Sequence, residues 1–130
     1  MDKEIKDFIK ECDCPEIQKL WKPKEGDTIS VKGKTYCVFQ DAGCNDFGKH
    51  ILIAGGCCIE KKHSIWLPSL EQIIAEIMKK GCAEWTSGWW GFNNGYYFTV
   101  HCKESIVNGV GDTIELSAIK ALKQVLKGGK

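Results

Sequence analysis

The stretch that decides the fold of this chain is residues 69–102, which read SLEQIIAEIMKKGCAEWTSGWWGFNNGYYFTVHC. It opens with Ser69 followed three residues later by Gln72, the pattern of a capping box that satisfies two helix-terminal amides. Apolar residues then recur at helical spacing. Lysines and Gly81 end the pattern, as is typical of a helix C-terminus. The sequence therefore predicts a helix from Ser69 to Lys80.

The second part of this stretch is unusually aromatic. More than half of the chain's aromatic residues lie between Ala83 and Cys102: Trp85, Trp89, Trp90, Phe92, Tyr96, Tyr97 and Phe98. Asn94-Gly95 is the strongest two-residue hairpin signal. The sequence therefore predicts a hairpin turning at Asn94-Gly95, with Trp89 opposite Val100.

Alternation along the strands assigns the hairpin side chains to two faces. The more apolar face should lie under the helices, and it contains Trp85, Trp89, Tyr96, Phe98, Val100 and Cys102. The other face mixes aromatics with a hydroxyl and an imidazole, and it contains Trp90, Phe92, Tyr97, Thr99 and His101. A register slip of one residue would exchange the two faces.

The remaining C-terminal sequence reads as a loop and a helix. Residues 104–111 contain two glycines and are predicted to be a loop. Asp112, with Glu115 three residues later, is the predicted cap of a final helix that ends at Gly128-Gly129. Residues 68–130 thus form a predicted helix–β-hairpin–helix half.

The N-terminal half, residues 1–67, is predicted to be a helical start followed by a β-rich segment. Helices are expected before Pro23, and strands at residues 28–31, 35–40, 50–54 and 57–61, with a short one before Pro68. A chain of 130 residues is expected to form one domain. The fold class predicted for residues 1–130 is α+β, a small antiparallel sheet packed with helices.

Charge and composition exclude several functional classes. The formal net charge of +1 gives no electrostatic footprint for nucleic acid or an anionic membrane. No apolar run is long enough to span a bilayer, and Met1-Asp2-Lys3-Glu4 does not begin a signal peptide. We therefore expect a cytoplasmic protein, in which the eight cysteines are mostly small apolar fillers.

Parts of the sequence resemble small uncharacterised phage and prophage proteins. The residues that carry the resemblance are Trp66-Leu67-Pro68-Ser69, the following helix, the Trp-rich hairpin and Gly111-Asp112-Thr113. This C-terminal half is similar to the phage ABA sandwich domain, a helix–hairpin–helix unit of unknown function. Cys14–Gln18 and Trp21–Asp27 are similar to the openings of other phage proteins. The resemblance implies a phage or prophage origin and action in the cytoplasm of a bacterial host, but no activity.

Metal and cofactor chemistry has weak support in the sequence. The cysteines to suspect as metal ligands are Cys12, Cys14, Cys57 and Cys58, with His50 or His63. They lack the two-to-four-residue spacing of structural zinc sites. The sequence therefore predicts neither a metal nor a cofactor.

Catalysis also lacks a signature. His101 and Cys102 are neighbours on a predicted strand, so their side chains point to opposite faces. Neither Gly55-Gly56 nor the segment 108–111 has the context of a phosphate-binding loop. No nucleophile, base and orienting group can be named together, so the protein is predicted not to be an enzyme.

The outer hairpin face remains as the candidate site. Its residues for a partner or ligand are Trp90, Phe92, Tyr97 and His101. Tryptophan and tyrosine are enriched at interface centres, which favours protein–protein binding or self-association. Two alternatives stay open: a small-ligand or nucleotide binder, such as a counter-defence protein, and a weak single-stranded nucleic-acid binder.

Overall fold

The computed structural model describes residues 3–82, 84–91, 95–103 and 105–128 of the chain. Its N-terminal elements are α1 (Lys3–Cys12), α2 (Pro15–Gln18), β1 (Thr28–Val31), β2 (Lys34–Cys44), β3 (His50–Ala54), β4 (Cys57–Glu60), a 3-10 turn (Lys61–His63) and β5 (Ile65–Leu67). The C-terminal elements are α3 (Leu70–Lys79), β6 (Glu84–Trp90), β7 (Gly95–His101), β8 (Ile106–Gly111) and α4 (Ile114–Gly128). Helices and antiparallel sheets occur together, so the predicted α+β class is confirmed. Within the described residues, no helix combines the length and apolarity needed to cross a membrane.

The elements form two compact units. The middle unit spans Cys12–Pro68, and the C-terminal unit joins the residues up to Glu11 to those from Ser69 onward. The division after Pro68 falls within one residue of the boundary between the two halves of the sequence. Most of helix α1, however, belongs with the C-terminal unit.

The middle unit is built on an antiparallel sheet with the strand order β4-β3-β2-β1-β5. Its long strand β2 shifts register between Val38 and Gln40 and again between Asp41 and Gly43. Such bulges bend a strand locally and re-aim its side chains. β2 continues to Cys44, beyond the strand predicted at residues 35–40, and both bulges lie in or next to this added part. The core side chains of the sheet include Ile29, Val38, Leu52 and Ala54.

Polar side chains anchor the segment before β1 to this sheet. The Gln18 amide donates to the Trp66 carbonyl oxygen (3.0 Å) and accepts from the Trp66 amide (2.8 Å), so it pairs with the outer edge of β5 as a further strand would. Buried Asp27 accepts a hydrogen bond from Trp21 Nε1 at 3.0 Å. The Trp21 ring also lies parallel to that of Trp66, with centroids 6.5 Å apart. Trp21 is therefore held in one orientation.

The C-terminal unit contains a sheet with the order β6-β7-β8 and the helices α3 and α4. The prediction of a loop over residues 104–111 is wrong for Ile106–Gly111, which forms β8 and pairs with β7 from Tyr96 to His101. A glycine-rich segment can be a strand here because a helix packs directly on its backbone. A Cβ at Gly109 would clash with the Ser117 carbonyl oxygen. The backbones of α4 and β8 are therefore in direct contact at Gly109.

Side-chain caps begin both long helices of the C-terminal unit. The predicted capping box of α3 is confirmed: Ser69 Oγ accepts from the Gln72 amide, and Gln72 Oε1 accepts from the Ser69 amide. At α4 the cap is Thr113, whose Oγ1 accepts from the Leu116 amide at 3.1 Å. The prediction that Asp112 caps α4 is therefore wrong by one residue. Hydroxyls and carboxylates both suit this position, so sequence patterns do not separate adjacent candidates.

Candidate functional site

The register of the hairpin determines which side chains meet at the candidate site. Trp89 lies opposite Tyr96, and Trp90 lies opposite Gly95. The predicted two-residue turn at Asn94-Gly95 is therefore wrong, because Gly95 is already part of β7. Trp89 was predicted to lie opposite Val100, so the observed pairing with Tyr96 is shifted by four residues, an even number. Since side chains alternate with a period of two, the assignment of residues to the two faces survives the error.

The inner face of the sheet is covered by helix only in part. Phe98 and Val100 on β7 are fully buried, and the face continues on β8 to Gly109, where α4 packs. On β6 the same face carries Trp85, which stacks on Phe98 at 5.2 Å, and Trp89, which meets Tyr96 edge-on at 5.1 Å. These two tryptophans nevertheless keep 38% and 55% of their surface exposed. The helices thus leave the margin of the inner face open.

The outer face carries the residues that the sequence singled out. A shallow cavity of about 300 Å³ is lined by Trp90, Tyr97, Thr99 and Asn108 of this face, together with Trp89 of the inner face. Trp90 is 43% exposed, and the Tyr97 ring lies across Gly88, where an added Cβ would be 3.0 Å from its hydroxyl. Thr99 Oγ1 donates to Asn108 Oδ1 at 2.9 Å. The structure therefore brings Trp90 and Tyr97 together.

The other two predicted members do not join them. His101 is exposed on the same face, but it lies opposite Glu84 near the far end of the hairpin, and it does not line the cavity. Phe92 lies outside the described residues. Thr99 and Asn108 line the cavity although the sequence did not predict them as site residues. The pairing of Thr99 with Asn108 depends on β8, whose glycines indicated a loop.

β6 is an edge strand that lacks the usual protection of an edge. It pairs with β7 on one side, and no other described strand pairs with it. Its sequence, EWTSGWW, contains one charged residue and neither lysine nor proline. Natural edge strands commonly use lysine, proline or bulges to prevent pairing with other chains. This edge strand, with Trp85, Trp89 and Trp90, is therefore apolar and can form hydrogen bonds with a strand of another chain. We call it the β6 edge.

A second and larger cavity lies within the middle unit. Its volume is about 620 Å³, and its lining residues come from the segments around α2, the turn before β3 and the 3-10 turn: Asp13, Gln18, Trp21, Gly48, Lys49, His50, Glu60, Lys61, Lys62, His63, Ser64 and Ile65. No sequence pattern predicted this cavity. The residues that could have indicated this cavity are the charged run 60–63 and the following Ser64. Such a run is equally typical of a solvent-exposed turn, so it does not predict a cavity.

Glu60 organises the charges at this cavity. Its carboxylate lies 3.2 Å from Lys49 Nζ, 3.5 Å from Lys62 Nζ and 3.3 Å from His63 Nε2. The hydrogen bond from Lys49 and the charges of these neighbours hold the pKa of Glu60 below its usual value, although desolvation opposes them. The Lys61 ammonium lies over the Trp21 ring, 5.4 Å from its centroid.

The cysteines suspected as metal ligands do not come together. Cys12 is buried and Cys14 half-buried beside α2, whereas Cys57 and Cys58 are exposed on β4. The described residues contain no cluster of three or more histidine, cysteine or acidic side chains arranged to hold a metal. Another pair does meet: the sulfurs of Cys82 and Cys102 are 2.7 Å apart. Burial, followed by the hydrogen bond and charge of Cys102, raises the pKa of Cys82 to about 11.

Comparison of the chain with models of known protein families, with curated proteins and with solved structures found no match.

Proposed function

We propose that this protein is a phage- or prophage-encoded accessory protein that acts by protein–protein binding through the β6 edge. The observation that carries the binding proposal is the exposure of three tryptophans on one unprotected edge strand. Tryptophan is the residue type most enriched among those that dominate binding energies at interfaces.

The phage origin rests on the sequence alone. It is supported by the resemblance of residues 14–27 and 66–126 to small phage proteins, and it places the action of the protein in the bacterial cytoplasm. A gene position beside tail, replication or anti-defence genes would support this origin. A position within a conserved housekeeping operon would contradict it.

The partner that best fits the β6 edge is a second copy of the chain. The segment Trp85-Thr86-Ser87-Gly88-Trp89 has a tryptophan two residues to either side of Ser87. If two copies of β6 pair antiparallel about Ser87, Trp85 of each copy faces Trp89 of the other. Cross-strand aromatic pairs stabilise sheets, and the arrangement has the self-complementarity that a two-fold dimer requires.

The expected strength of this dimer follows from the exposed area. Each tryptophan of the β6 edge leaves on the order of 100 Å² uncovered, since a fully buried aromatic side chain buries about 150–250 Å². The exposed tryptophan surface of two copies is therefore below the area of a standard interface, which is about 1,200–2,000 Å². We expect a dissociation constant of roughly micromolar order, as is typical of small interfaces.

A ligand-binding function at the outer face has less support. The cavity beside Trp90 and Tyr97 is at the lower end of the range for ligand pockets, about 300–1,000 Å³. Its polar groups, Thr99 and Asn108, already hydrogen-bond to each other. Nucleic-acid binding would need a basic groove, and none of the described residues that line this cavity is a lysine or arginine.

Light scattering after size-exclusion chromatography tests the dimer. We expect the mass of two chains at high concentration and dissociation on dilution. Trp89→Lys should give a monomer, because it places a charge at the pairing face of the edge. Ile106→Lys is the matched control: Ile106 is 66% exposed on β8, the opposite edge of the same sheet, and its replacement should leave the dimer intact.

Circular dichroism of both variants checks that they remain folded. A wild-type protein that is monomeric up to about 500 µM, far above a micromolar dissociation constant, would overturn the proposal. A dimer that survives Trp89→Lys would overturn it as well.

A further inference from the structure

The cavity of the middle unit has the volume of a ligand site. Its volume of about 620 Å³ lies well inside the range of pockets that hold drug-sized molecules, about 300–1,000 Å³. Three separate segments of one unit converge on it. It is more than twice the volume of the cavity on the outer sheet face.

The charges of its lining favour an anion. Three lysines, Lys49, Lys61 and Lys62, face two carboxylates, Asp13 and Glu60, so the lining carries an excess of positive charge before its two histidines are counted. Ion pairs as exposed as these contribute little to folding. Glu60 instead gathers Lys49, Lys62 and His63 around one point. A phosphate, which accepts several charge-assisted hydrogen bonds, would bind these cations by taking the place of the Glu60 carboxylate as their shared partner.

The cavity also has a rigid aromatic ring in its wall, that of Trp21, which is 5% exposed in this structure. The Trp21 ring is held by the hydrogen bond of its Nε1 to Asp27 and lies parallel to Trp66 on one side. Over the Trp21 ring lies the half-buried side chain of Lys61. A planar ring that displaced the Lys61 ammonium would stack on Trp21. The displaced lysine would then be close enough to bind a phosphate of the same ligand.

We propose that this cavity binds an organic phosphate with a planar aromatic ring, the chemistry of a nucleotide. The ring replaces Lys61 over Trp21, and the phosphate is bound by Lys61, Lys62 and His63. This binding site is separate from the β6 edge, and the proposal does not depend on dimer formation.

Isothermal titration calorimetry of the full chain tests the proposal with ADP, GDP, CDP and UDP as separate probes. Pyrophosphate and the matching nucleoside serve as fragments. We expect saturable binding of at least one nucleoside diphosphate, with each fragment at least about tenfold weaker because it supplies only half of the contacts. Trp21 replacement is avoided, since its buried ring supports the fold.

Variants locate the site. The double substitution Lys61→Ala with Lys62→Ala should weaken binding by at least about tenfold, the order expected when charge-assisted contacts to a phosphate are lost. Lys34→Ala is the control, since Lys34 is an exposed lysine of the same unit at the β1–β2 turn. Three results would each overturn the proposal: no saturable binding of any probe, equal binding by the double variant, or pyrophosphate binding as tight as the nucleotide.

Discussion

At the scale of single residues, Gly109 shows how one missing side chain determines packing. α4 lies so close to β8 that a Cβ at this position would clash with the Ser117 carbonyl oxygen and lie 2.8 Å from the Ala121 amide nitrogen. Both atoms belong to the helix backbone, which cannot move aside as a flexible side chain can. The β8–α4 contact therefore requires glycine at this position.

We expect Gly109→Ala to destabilise the protein by about 2–4 kcal/mol, because the helix must move off the sheet and the core around Phe98 loosens. Urea unfolding followed by circular dichroism measures the change. Gly91→Ala is the control: its added Cβ would meet no atom closer than 3.9 Å. Equal midpoints for the two variants would show that α4 does not need this close approach.

Asp41 links the bulged part of β2 to β3 and should make stability depend on pH. Its carboxylate accepts from the Gly43 amide (3.0 Å) and lies 2.6 Å from His50 Nε2. Desolvation is the largest single effect and acts to raise the pKa of Asp41. The Gly43 hydrogen bond, the hydrogen bond and charge of His50 and the charge of Lys61 together outweigh desolvation, so the pKa lies below the usual value.

A lowered pKa in the folded state means that the ionised carboxylate stabilises the fold. This contribution is complete above the ordinary carboxyl pKa and is lost as the pH falls through the folded-state value. Asp41→Asn should therefore cost stability near pH 7, by at most about 1 kcal/mol because the pair is partly exposed. The cost should shrink toward about pH 3.

Urea midpoints across this range measure the effect, with Asp46→Asn in the nearby exposed turn as control. A cost that stays constant with pH would contradict the assigned role of the Asp41 charge.

At the scale of elements, the β6–β7 hairpin is held at its open end by two thiols. Cys82 lies just before β6 and Cys102 just after β7, with their sulfurs in contact at 2.7 Å. Cys82 is buried, whereas Cys102 is half-buried and can be reached from solvent. The raised pKa of Cys82 leaves little thiolate at neutral pH, so this sulfur is a slow nucleophile there.

We expect oxidised glutathione to convert this pair into a disulfide. The Cys102 thiolate attacks glutathione disulfide and releases one glutathione; the Cys82 thiolate then attacks the Cys102 sulfur and releases the second. The new bond joins residues 20 apart in sequence and should stabilise the protein by about 3 kcal/mol, raising its melting temperature by several degrees.

Peptide mapping by mass spectrometry and thermal unfolding before and after oxidation measure this outcome. Cys82→Ser should block the bridge and leave glutathione attached to Cys102. Persistent glutathione on Cys102 in the wild-type protein would show that the two sulfurs cannot close.

At the scale of the whole molecule, charge does not oppose association. The formal net charge of +1 means that two copies repel each other weakly at neutral pH. The three exposed tryptophans lie on β6 in the C-terminal unit, whereas the charged cavity and two exposed phenylalanines, Phe39 and Phe47, lie in the middle unit. Each unit thus carries one candidate surface, and the two surfaces differ in chemistry.

The sequence by itself determined the features that depend on neighbouring residues. The α3 capping box, the two hairpin strands and the face to which each aromatic belongs follow from local hydrogen bonding and from the period of two. Trp90 and Tyr97 were therefore predicted to share a face, and the structure places them together.

Only the tertiary structure decided what depends on distant segments. β8 is a strand because α4 packs on Gly109, and the tryptophans of β6 remain exposed because the helices cover β7 and β8. The cavity over Trp21 needs three segments to converge, and the Cys82–Cys102 contact depends on the true hairpin register. Such contacts are set by packing between segments far apart in the chain. Local sequence patterns do not predict this packing.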